Sequence, residues 1–241
     1  MNFWKNLKMN KLNSSIYLFP LHAIFNPKNI PPFETFSAEH SALLYSALTE
    51  NYKEIFEAFE GKINSVFVFD NNDKDFLPGQ FNHEGINLFL GDTCNKSKML
   101  KDLADKYFFN YTNNLLIFSY SICLTANDIQ QAFNLLSIND EAVVIGKTAT
   151  GGITFLGFNT FNHELFDEID WDNLNYDNFL LYSSKHEHFL HVIDNFLVIR
   201  NIEDFKNLYK ELSKKESLAY CSQNMHEKFT QLFIEYKDLL K

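Results

Sequence analysis

Short apolar segments of two different periodicities alternate along the chain, and they predict alternating strands and helices. Continuous runs rich in β-branched and aromatic residues predict buried strands at residues 16–25, 66–69, 87–90, 115–119, 142–145, 153–158, 179–182 and 196–199. Apolar residues three and four positions apart predict helices at residues 37–59, 96–109, 126–136, 162–169 and 203–212. The alternation favours an α/β fold with a mostly parallel sheet and helices on both faces.

The last part of the chain, residues 213–241, predicts one more amphipathic helix. Its apolar positions recur at spacings of three and four, at Met225, Phe229, Leu232, Phe233, Tyr236 and Leu240. Packing on its own domain is one interpretation and a homodimer contact is the other, because both need the same apolar face. The length of 241 residues and the hydrophobic content of 46% fit a single domain with a core at about residues 15–212.

The charge balance argues against nucleic acid as a partner. Twenty-one basic and 31 acidic side chains give a formal net charge of −10, and Arg200 is the only arginine. Affinity for a phosphate backbone depends on clustered Lys and Arg, and bidentate readout of bases depends largely on Arg. We therefore expect neither a DNA-binding nor an RNA-binding protein.

The cysteines and the amino-terminal residues predict a cytoplasmic protein. Cys94, Cys123 and Cys221 are odd in number, far apart and without paired metal spacing, so we interpret them as reduced thiols. Residues 1–15 contain lysines but no continuous apolar segment and no small-residue cleavage site. No run approaches the roughly 18 apolar residues that a membrane-spanning helix needs, and no membrane association is expected.

Residues 140–171 form the most informative stretch, because two strands are joined there by tandem glycines. Gly151 and Gly152 permit a tight bend and let another group approach the backbone, since neither carries a Cβ. Residues 146–148 spell the Gly-Lys-Thr end of a phosphate-binding P-loop. That motif also needs a glycine five residues before Gly146, where this chain has Glu141, so a P-loop is rejected.

The same stretch follows the pattern Gly-Pro-x-x-Asp-Gly-Gly-x-Tyr-x-Ile/Leu-Gly, then Leu-Phe and Ile-x-Trp. It matches at Gly146, Gly151, Gly152, Gly157, Leu165, Phe166 and Trp171. The chain thereby resembles the bacterial glycosyltransferase-like proteins known as radical-SAM/selenodomain-associated transferases. The resemblance implies a three-layer, Rossmann-like GT-A (nucleotide-diphospho-sugar transferase) fold with a C-terminal helix added. It also implies a nucleotide or nucleotide-sugar ligand and, for intact members, Mg or Mn.

This chain departs from the family where acids are expected. Thr150 stands at the acid of the Gly-Gly motif, Tyr120 at the acid after the central strand, and Val198 and Arg200 at two acids after the last strand. At Val198 a shifted alignment toward Asp194 stays open as an alternative. Hard divalent cations need oxygen ligands, which Val and Arg do not supply, so no metal ligand, no catalytic residue and no cofactor is predicted here.

The resemblance places a ligand site at the preserved bend and at the substituted positions. The predicted ligand-binding residues are Lys98, Tyr120, Ser121, Thr150, Gly151, Gly152 and Arg200. Lys98 has a plainer interpretation as a solvated helix residue. His186 and His188 would share one face of a strand, but two ligands are too few for a metal site, and surface histidines are the favoured interpretation.

Three functional hypotheses follow. The leading one is a GT-A homologue that is catalytically degenerate and metal-independent but keeps its pocket. The second is an active sugar or nucleotidyl transferase in which Lys98, Lys147 or Arg200 replaces the charge of the cation. The third is a structural or partner-binding domain whose C-terminal helix mediates assembly.

Overall fold

The computed structural model describes residues 13–81, 86–171 and 173–240. The expectation about a targeting segment concerns mainly residues 1–12, which lie outside the described part. Among the described residues, no helix is both long enough and apolar enough to cross a bilayer.

Eight strands and seven α-helices alternate through most of the described chain. The strands are β1 Ser14–Phe19, β2 Asn64–Asp70, β3 Asn87–Gly91, β4 Asn113–Phe118, β5 Ser121–Ile122, β6 Ala142–Thr148, β7 Ile153–Phe158 and β8 Phe189–Val198. The helices are α1 Ala38–Glu57, α2 Lys96–Lys106, α3 Ala126–Leu136, α4 His163–Glu168, α5 Tyr176–Ser183, α6 Ile202–Leu212 and α7 Gln223–Glu235. Short 3-10 helices lie at Asn71–Phe76, Gly79–Phe81, Phe108–Asn110 and Lys215–Ala219.

The strands form one mixed sheet in the order β3-β2-β1-β4-β7-β6-β8-β5. Four neighbouring pairs are parallel (β3/β2, β2/β1, β1/β4 and β6/β8), while β7 runs antiparallel to both β4 and β6. The strands β1, β2, β4, β6 and β8 therefore all end at the same edge of the sheet, which we call the carboxyl edge. The predicted α/β class with a mostly parallel sheet is confirmed.

Alternating strand residues supply two different cores, one on each face of the sheet. In β1, Tyr17 and Phe19 pack with α2 and α4 on one face, whereas Ile16 and Leu18 pack with α1 and α3 on the other. All four side chains are at most 1% exposed. Because successive strand side chains point to opposite faces, this double burial explains why the strands appear as continuous apolar runs.

The C-terminal helix α7 packs against α1 and α6 in a third apolar cluster. Phe229 and Leu232 are fully buried there together with Leu44 of α1 and Phe205 of α6. Just beyond the helix, the ring of Tyr236 stacks on Phe36 at 3.8 Å between centroids. The interpretation that this helix packs on its own chain is confirmed, and the homodimer stays a prediction.

Two predictions in the C-terminal half are wrong. Residues 179–182 were predicted as a strand but lie in α5, which Asn175 caps by accepting a hydrogen bond from the Asn178 N–H. Phe179 is fully buried and Leu181 is 67% exposed, as expected for one buried helix face. An apolar run of four residues is too short for its period to distinguish helix from strand.

The second error concerns the histidine segment and the last strand. β8 runs unbroken from Phe189 to Val198, and both His186 and His188 precede it. They therefore do not share a strand face. His188 instead lies with Nε2 2.6 Å from the Ser183 Oγ at the end of α5.

Candidate functional site

The carboxyl edge brings together segments that are far apart in the sequence. Tyr120 follows β4, the Gly-Gly turn joins β6 to β7, and Arg200 follows β8. Ligands of open α/β sheets bind outside the carboxyl ends of the strands. The edge is therefore where the predicted residues need to meet.

The Gly-Gly turn is a tight hairpin connection in which a side chain would be unfavourable at either glycine. The Gly151 N–H donates to the Thr148 carbonyl (3.1 Å), and the Thr148 N–H donates to the Gly152 carbonyl (2.9 Å). Gly151 has a φ of +81°, a conformation that L side chains rarely adopt, and the space beside it is open. At Gly152 an added Cβ would lie 3.1 Å from Cγ2 of Val198.

The two glycines therefore differ in what approaches them. The close neighbours of Gly152 are protein side chains, including the Thr148 Oγ1, which accepts a hydrogen bond from its N–H at 2.8 Å. Thr150 lies beside the same hydroxyl, with its Oγ1 at 3.1 Å. Only Gly151, of this pair, leaves open space in which a ligand can reach the backbone.

The segment before α5 covers one side of this turn. The Tyr176 N–H donates to the Gly151 carbonyl (2.8 Å), and Gly152 and Asn175 form an antiparallel bridge. Lys147 lies with its Nζ 4.5 Å from the centre of the Tyr176 ring and 3.5 Å from a carboxylate oxygen of Asp194. Lys147, one of the candidate replacements for a cation, is thus paired with an acid of the same chain.

Tyr120 and Arg200 form a second contact at the edge. The Tyr120 hydroxyl donates to the Ile153 carbonyl (3.1 Å) and accepts a hydrogen bond from Nη2 of Arg200 (2.8 Å). The guanidinium carbon lies 4.6 Å from the ring centre, within cation–π range. Burial raises the pKa of Tyr120, and the neighbouring charge of Arg200 partly offsets that effect.

Ser121 and Lys98 are not gathered into this group. Ser121 is fully buried, its hydroxyl donates to the Phe118 carbonyl (2.6 Å), and its oxygen lies 2.6 Å from the Tyr52 hydroxyl of α1. Lys98 is exposed in the first turn of α2, where its N–H donates to the capping Asn95 side chain. The predicted residues that the structure brings to one region are Tyr120, Thr150, Gly151, Gly152 and Arg200. Ser121 is buried in the core beside this region. Lys98 lies on α2, which follows the edge strand β3.

Two acids at the carboxyl edge, Asp70 and Asp73, are not among the residues predicted from the sequence. Asp70 ends β2 and is 2% exposed, and its carboxylate accepts hydrogen bonds from the N–H and the hydroxyl of Thr93 and from Asn72. Burial alone would raise the pKa of Asp70, but these hydrogen bonds outweigh it and hold the pKa below its usual value. The signal available was an Asp followed two residues later by an Asn, which is typical of a turn stabilised by its own side chains.

Asp73 is the second overlooked acid, and it is fully buried. Its two carboxylate oxygens accept hydrogen bonds from the N–H groups of Ile24, Phe25 and Asn26, at 2.9, 2.8 and 2.8 Å. These residues belong to the loop after β1. Asp70 thus joins the end of β2 to the segment after β3, and Asp73 joins the segment after β2 to the loop after β1.

The substituted positions Tyr120, Val198 and Arg200 do not supply ligands for a divalent metal. The Tyr120 hydroxyl already has a donor and an acceptor, Val198 has no side-chain oxygen, and Arg200 is itself a cation. No group of three or more His, Cys, Asp or Glu side chains in the described part of the chain is placed to hold a metal ion. A hard cation needs several oxygen ligands, which this arrangement does not offer.

A mixed sheet in which the antiparallel strand β7 separates the parallel strands β3, β2, β1 and β4 from the parallel pair β6 and β8, with helices on both faces, defines an α/β protein with the nucleotide-diphospho-sugar transferase-like fold. Residues 64–173, from β2 to just beyond Trp171, match the model of a family described as "Uncharacterized protein conserved in bacteria (DUF2064)". The predicted likeness to a bacterial transferase-like family is thereby confirmed. The association with radical-SAM proteins stays a prediction.

Solved structures share the fold at low sequence identity. A candidate nucleotide-diphospho-sugar transferase of Desulfovibrio desulfuricans G20 is 17% identical, with a TM-score of 0.72 over 94% of this chain and 96% of that one. A 4-diphosphocytidyl-2C-methyl-D-erythritol synthase of Anaerococcus prevotii DSM 20548 is 11% identical, with a TM-score of 0.54 over 83% and 99%. A cytidylyltransferase of Leptospira borgpetersenii is 13% identical, with a TM-score of 0.51 over 95% and 97%. No curated protein sequence matches this chain.

Proposed function

We propose that this protein is a transferase-like protein of GT-A fold that has lost catalysis and binds a nucleotide or nucleotide sugar without a metal. The Gly-Gly turn and Arg200 form the ligand site in this proposal. The observation that carries it is the contact between Tyr120 and Arg200, at positions where the resembled family has acids.

A guanidinium at this place works against the usual chemistry of the family. Metal-dependent transferases need carboxylates to hold the cation that neutralises a diphosphate leaving group. Arg200 instead puts a fixed positive charge beside Tyr120, and a like charge disfavours a divalent cation. A catalytic cation would therefore find no carboxylate at Tyr120, Val198 or Arg200, and it would be repelled by the guanidinium of Arg200.

The same guanidinium suits an anionic ligand. Arginine carries five N–H donors in a planar fork, and here Nη2 contacts Tyr120 and the Leu174 carbonyl while the residue as a whole is exposed. A phosphate can use the remaining donors, and the open space at Gly151 gives it access to the backbone. The nucleotide class is inferred from the fold alone, which is shared with a candidate nucleotide-diphospho-sugar transferase and a cytidylyltransferase.

We further infer a cytoplasmic protein, since Cys94, Cys123 and Cys221 are free thiols.

Thermal unfolding with a panel of nucleoside triphosphates and nucleotide sugars tests the proposal. Each compound is added with Mg²⁺, with Mn²⁺ and with a chelator, because ligands that bind the native state raise Tm. We expect at least one compound to raise Tm equally under all three conditions. Arg200→Met should abolish that shift, whereas Lys210→Met, at an exposed lysine of α6, should leave it intact.

Two outcomes would overturn the proposal in different ways. A shift that requires Mg²⁺ or Mn²⁺, or release of a nucleoside diphosphate from a nucleotide sugar, would establish a working transferase. The absence of a shift with every compound would remove the ligand site and favour the structural or partner-binding hypothesis.

A further inference from the structure

The loop after β1 presents three successive backbone N–H groups to a single carboxylate. The N–H groups of Phe25 and Asn26 both donate to Oδ1 of Asp73 at 2.8 Å, and the N–H of Ile24 donates to Oδ2 at 2.9 Å. Successive N–H groups that converge in this way form a concave anion site, often called a nest. Here the anion lies 47 to 49 residues further along the same chain.

The contact between Asp73 and the loop after β1 is buried inside the protein and does not lie on its surface. Asp73 is fully buried, Ile24 is 2% exposed and Asn26 is 8% exposed. The Asn26 side chain also donates to the Asn72 carbonyl (3.0 Å), so that the loop and the 3-10 helix at Asn71–Phe76 are joined at a second point. A buried carboxylate is costly unless hydrogen bonds satisfy it, and the three N–H groups supply that compensation.

The loop after β1 lies at the edge of the sheet where α/β proteins bind their ligands. The loop follows β1, a central strand, and lies at the carboxyl edge with the turn of Gly151. Carboxylates and phosphates are both oxyanions, and both are recognised by backbone N–H groups. An anion held there by the protein itself competes with any phosphate that a ligand would bring.

We propose that the N–H groups of Ile24, Phe25 and Asn26 are an anion site whose resident anion is Asp73, and that Asp73 excludes phosphate groups from it. A ligand of the carboxyl edge is then bound without phosphate contacts from the loop after β1. The loop after β1 is separate from the Gly-Gly turn, and Asp73 occupies it whether or not that turn binds a nucleotide.

Rescue of an Asp73→Ala variant by small anions tests the proposal. The substitution leaves three N–H groups facing a space the size of a carboxylate, which formate can fill. We expect formate, compared with chloride at equal ionic strength, to raise the Tm of the variant by about 3 °C or more at roughly ten times its Kd. Wild type and Asp75→Ala, at an exposed acid of the same 3-10 helix, should show no such difference.

The Asp73→Asn variant and NMR amide shifts test separately whether formate binds the space left by the carboxylate. Asp73→Asn fills the same space, so it should be less stable than wild type yet insensitive to formate. In NMR spectra, formate should shift the amide resonances of residues 24–26 in Asp73→Ala back toward their wild-type positions. If Asp73→Ala does not fold in chloride, its refolding yield with formate is measured instead, and recovery is expected.

Two results would overturn the proposal. Failure of formate to stabilise, refold or shift the amides of Asp73→Ala would show that the N–H groups do not form an anion site. A rise in the Tm of wild type with inorganic phosphate, accompanied by movement of the same three amide resonances, would show that Asp73 does not keep phosphate out.

Discussion

The guanidinium of Arg200 lies over the ring of Tyr120 and donates a 2.8 Å hydrogen bond to its hydroxyl. The same hydroxyl donates to the Ile153 carbonyl at the start of β7, so β4, β7 and β8 are joined at the carboxyl edge by one side chain. At the positions where the resemblance predicts acids, this protein thus has a phenol and a guanidinium in contact with each other.

Removal of the Tyr120 hydroxyl should destabilise the protein. Tyr120→Phe keeps the ring and its packing but leaves the carbonyl of fully buried Ile153 without its donor. An unsatisfied buried acceptor costs about 1–3 kcal/mol, and we expect a loss in that range from urea unfolding. Tyr209→Phe, at a ring that is 43% exposed, is the control and should change little. Equal stability of the two variants would contradict the assigned role of the hydroxyl.

The turn at Gly151 should tolerate asparagine better than alanine. A φ of +81° lies in the left-handed region, where a Cβ costs about 1–2 kcal/mol, and Asn is enriched among non-glycine residues there. Since no atom lies within 4 Å of an added Cβ, the cost of Gly151→Ala is one of backbone conformation alone. Gly79→Ala, at an equally open glycine without positive φ, should be neutral. Denaturant unfolding of the three variants measures the order, and an Ala variant as stable as wild type would refute it.

Asp70 should make the protein sensitive to acid. Its pKa is depressed in the folded state, so its contribution to stability is present above the unfolded pKa of about 3.9 and is lost as pH falls through the lower folded value. Wild type should therefore lose unfolding free energy below about pH 4. Asp70→Asn should be less stable at pH 7 and should lack this component of the loss. Urea unfolding between pH 2 and 7 measures it, with Asp75→Asn as the exposed control. Parallel pH curves for wild type and Asp70→Asn would contradict this role.

The sequence predicts most of the fold because its local signals agree with the tertiary structure. Ser37 caps α1 and Thr125 caps α3 with a full capping box, at the positions where the helices were expected to begin. The buried strands carry apolar runs that need no knowledge of their neighbours to be recognised. One exception is α5, which has only a short apolar run and whose capping residue Asn175 resembles any loop asparagine.

The site is less predictable because its contacts join distant segments. The resemblance assigned Tyr120 and Arg200 to the ends of two strands, and both lie at the carboxyl edge. Nothing in the local pattern indicates that they contact each other, 80 residues apart. Ser121 was predicted from the resemblance as a ligand-binding residue, whereas its side chain is buried in the core against Tyr52. Asp73 was overlooked for the same reason, because its meaning depends on N–H groups almost fifty residues earlier.

The C-terminal helix should be an integral part of the protein rather than an appendage. Phe229 is fully buried against α1 and α6, and truncation of a buried Phe to Ala costs about 3–5 kcal/mol, whereas Ile234 on the same helix is 66% exposed. We therefore expect Phe229→Ala, measured by urea unfolding, to be far less stable than wild type, and Ile234→Ala to lie within about 0.5 kcal/mol of it. A chain ending at Ser213 should fail to elute as a compact species in size exclusion, because the apolar face of α1 that covers this helix would be exposed. If the shortened chain instead elutes as a folded monomer while the full chain is a dimer, the helix acts in assembly and the dimer interpretation replaces ours.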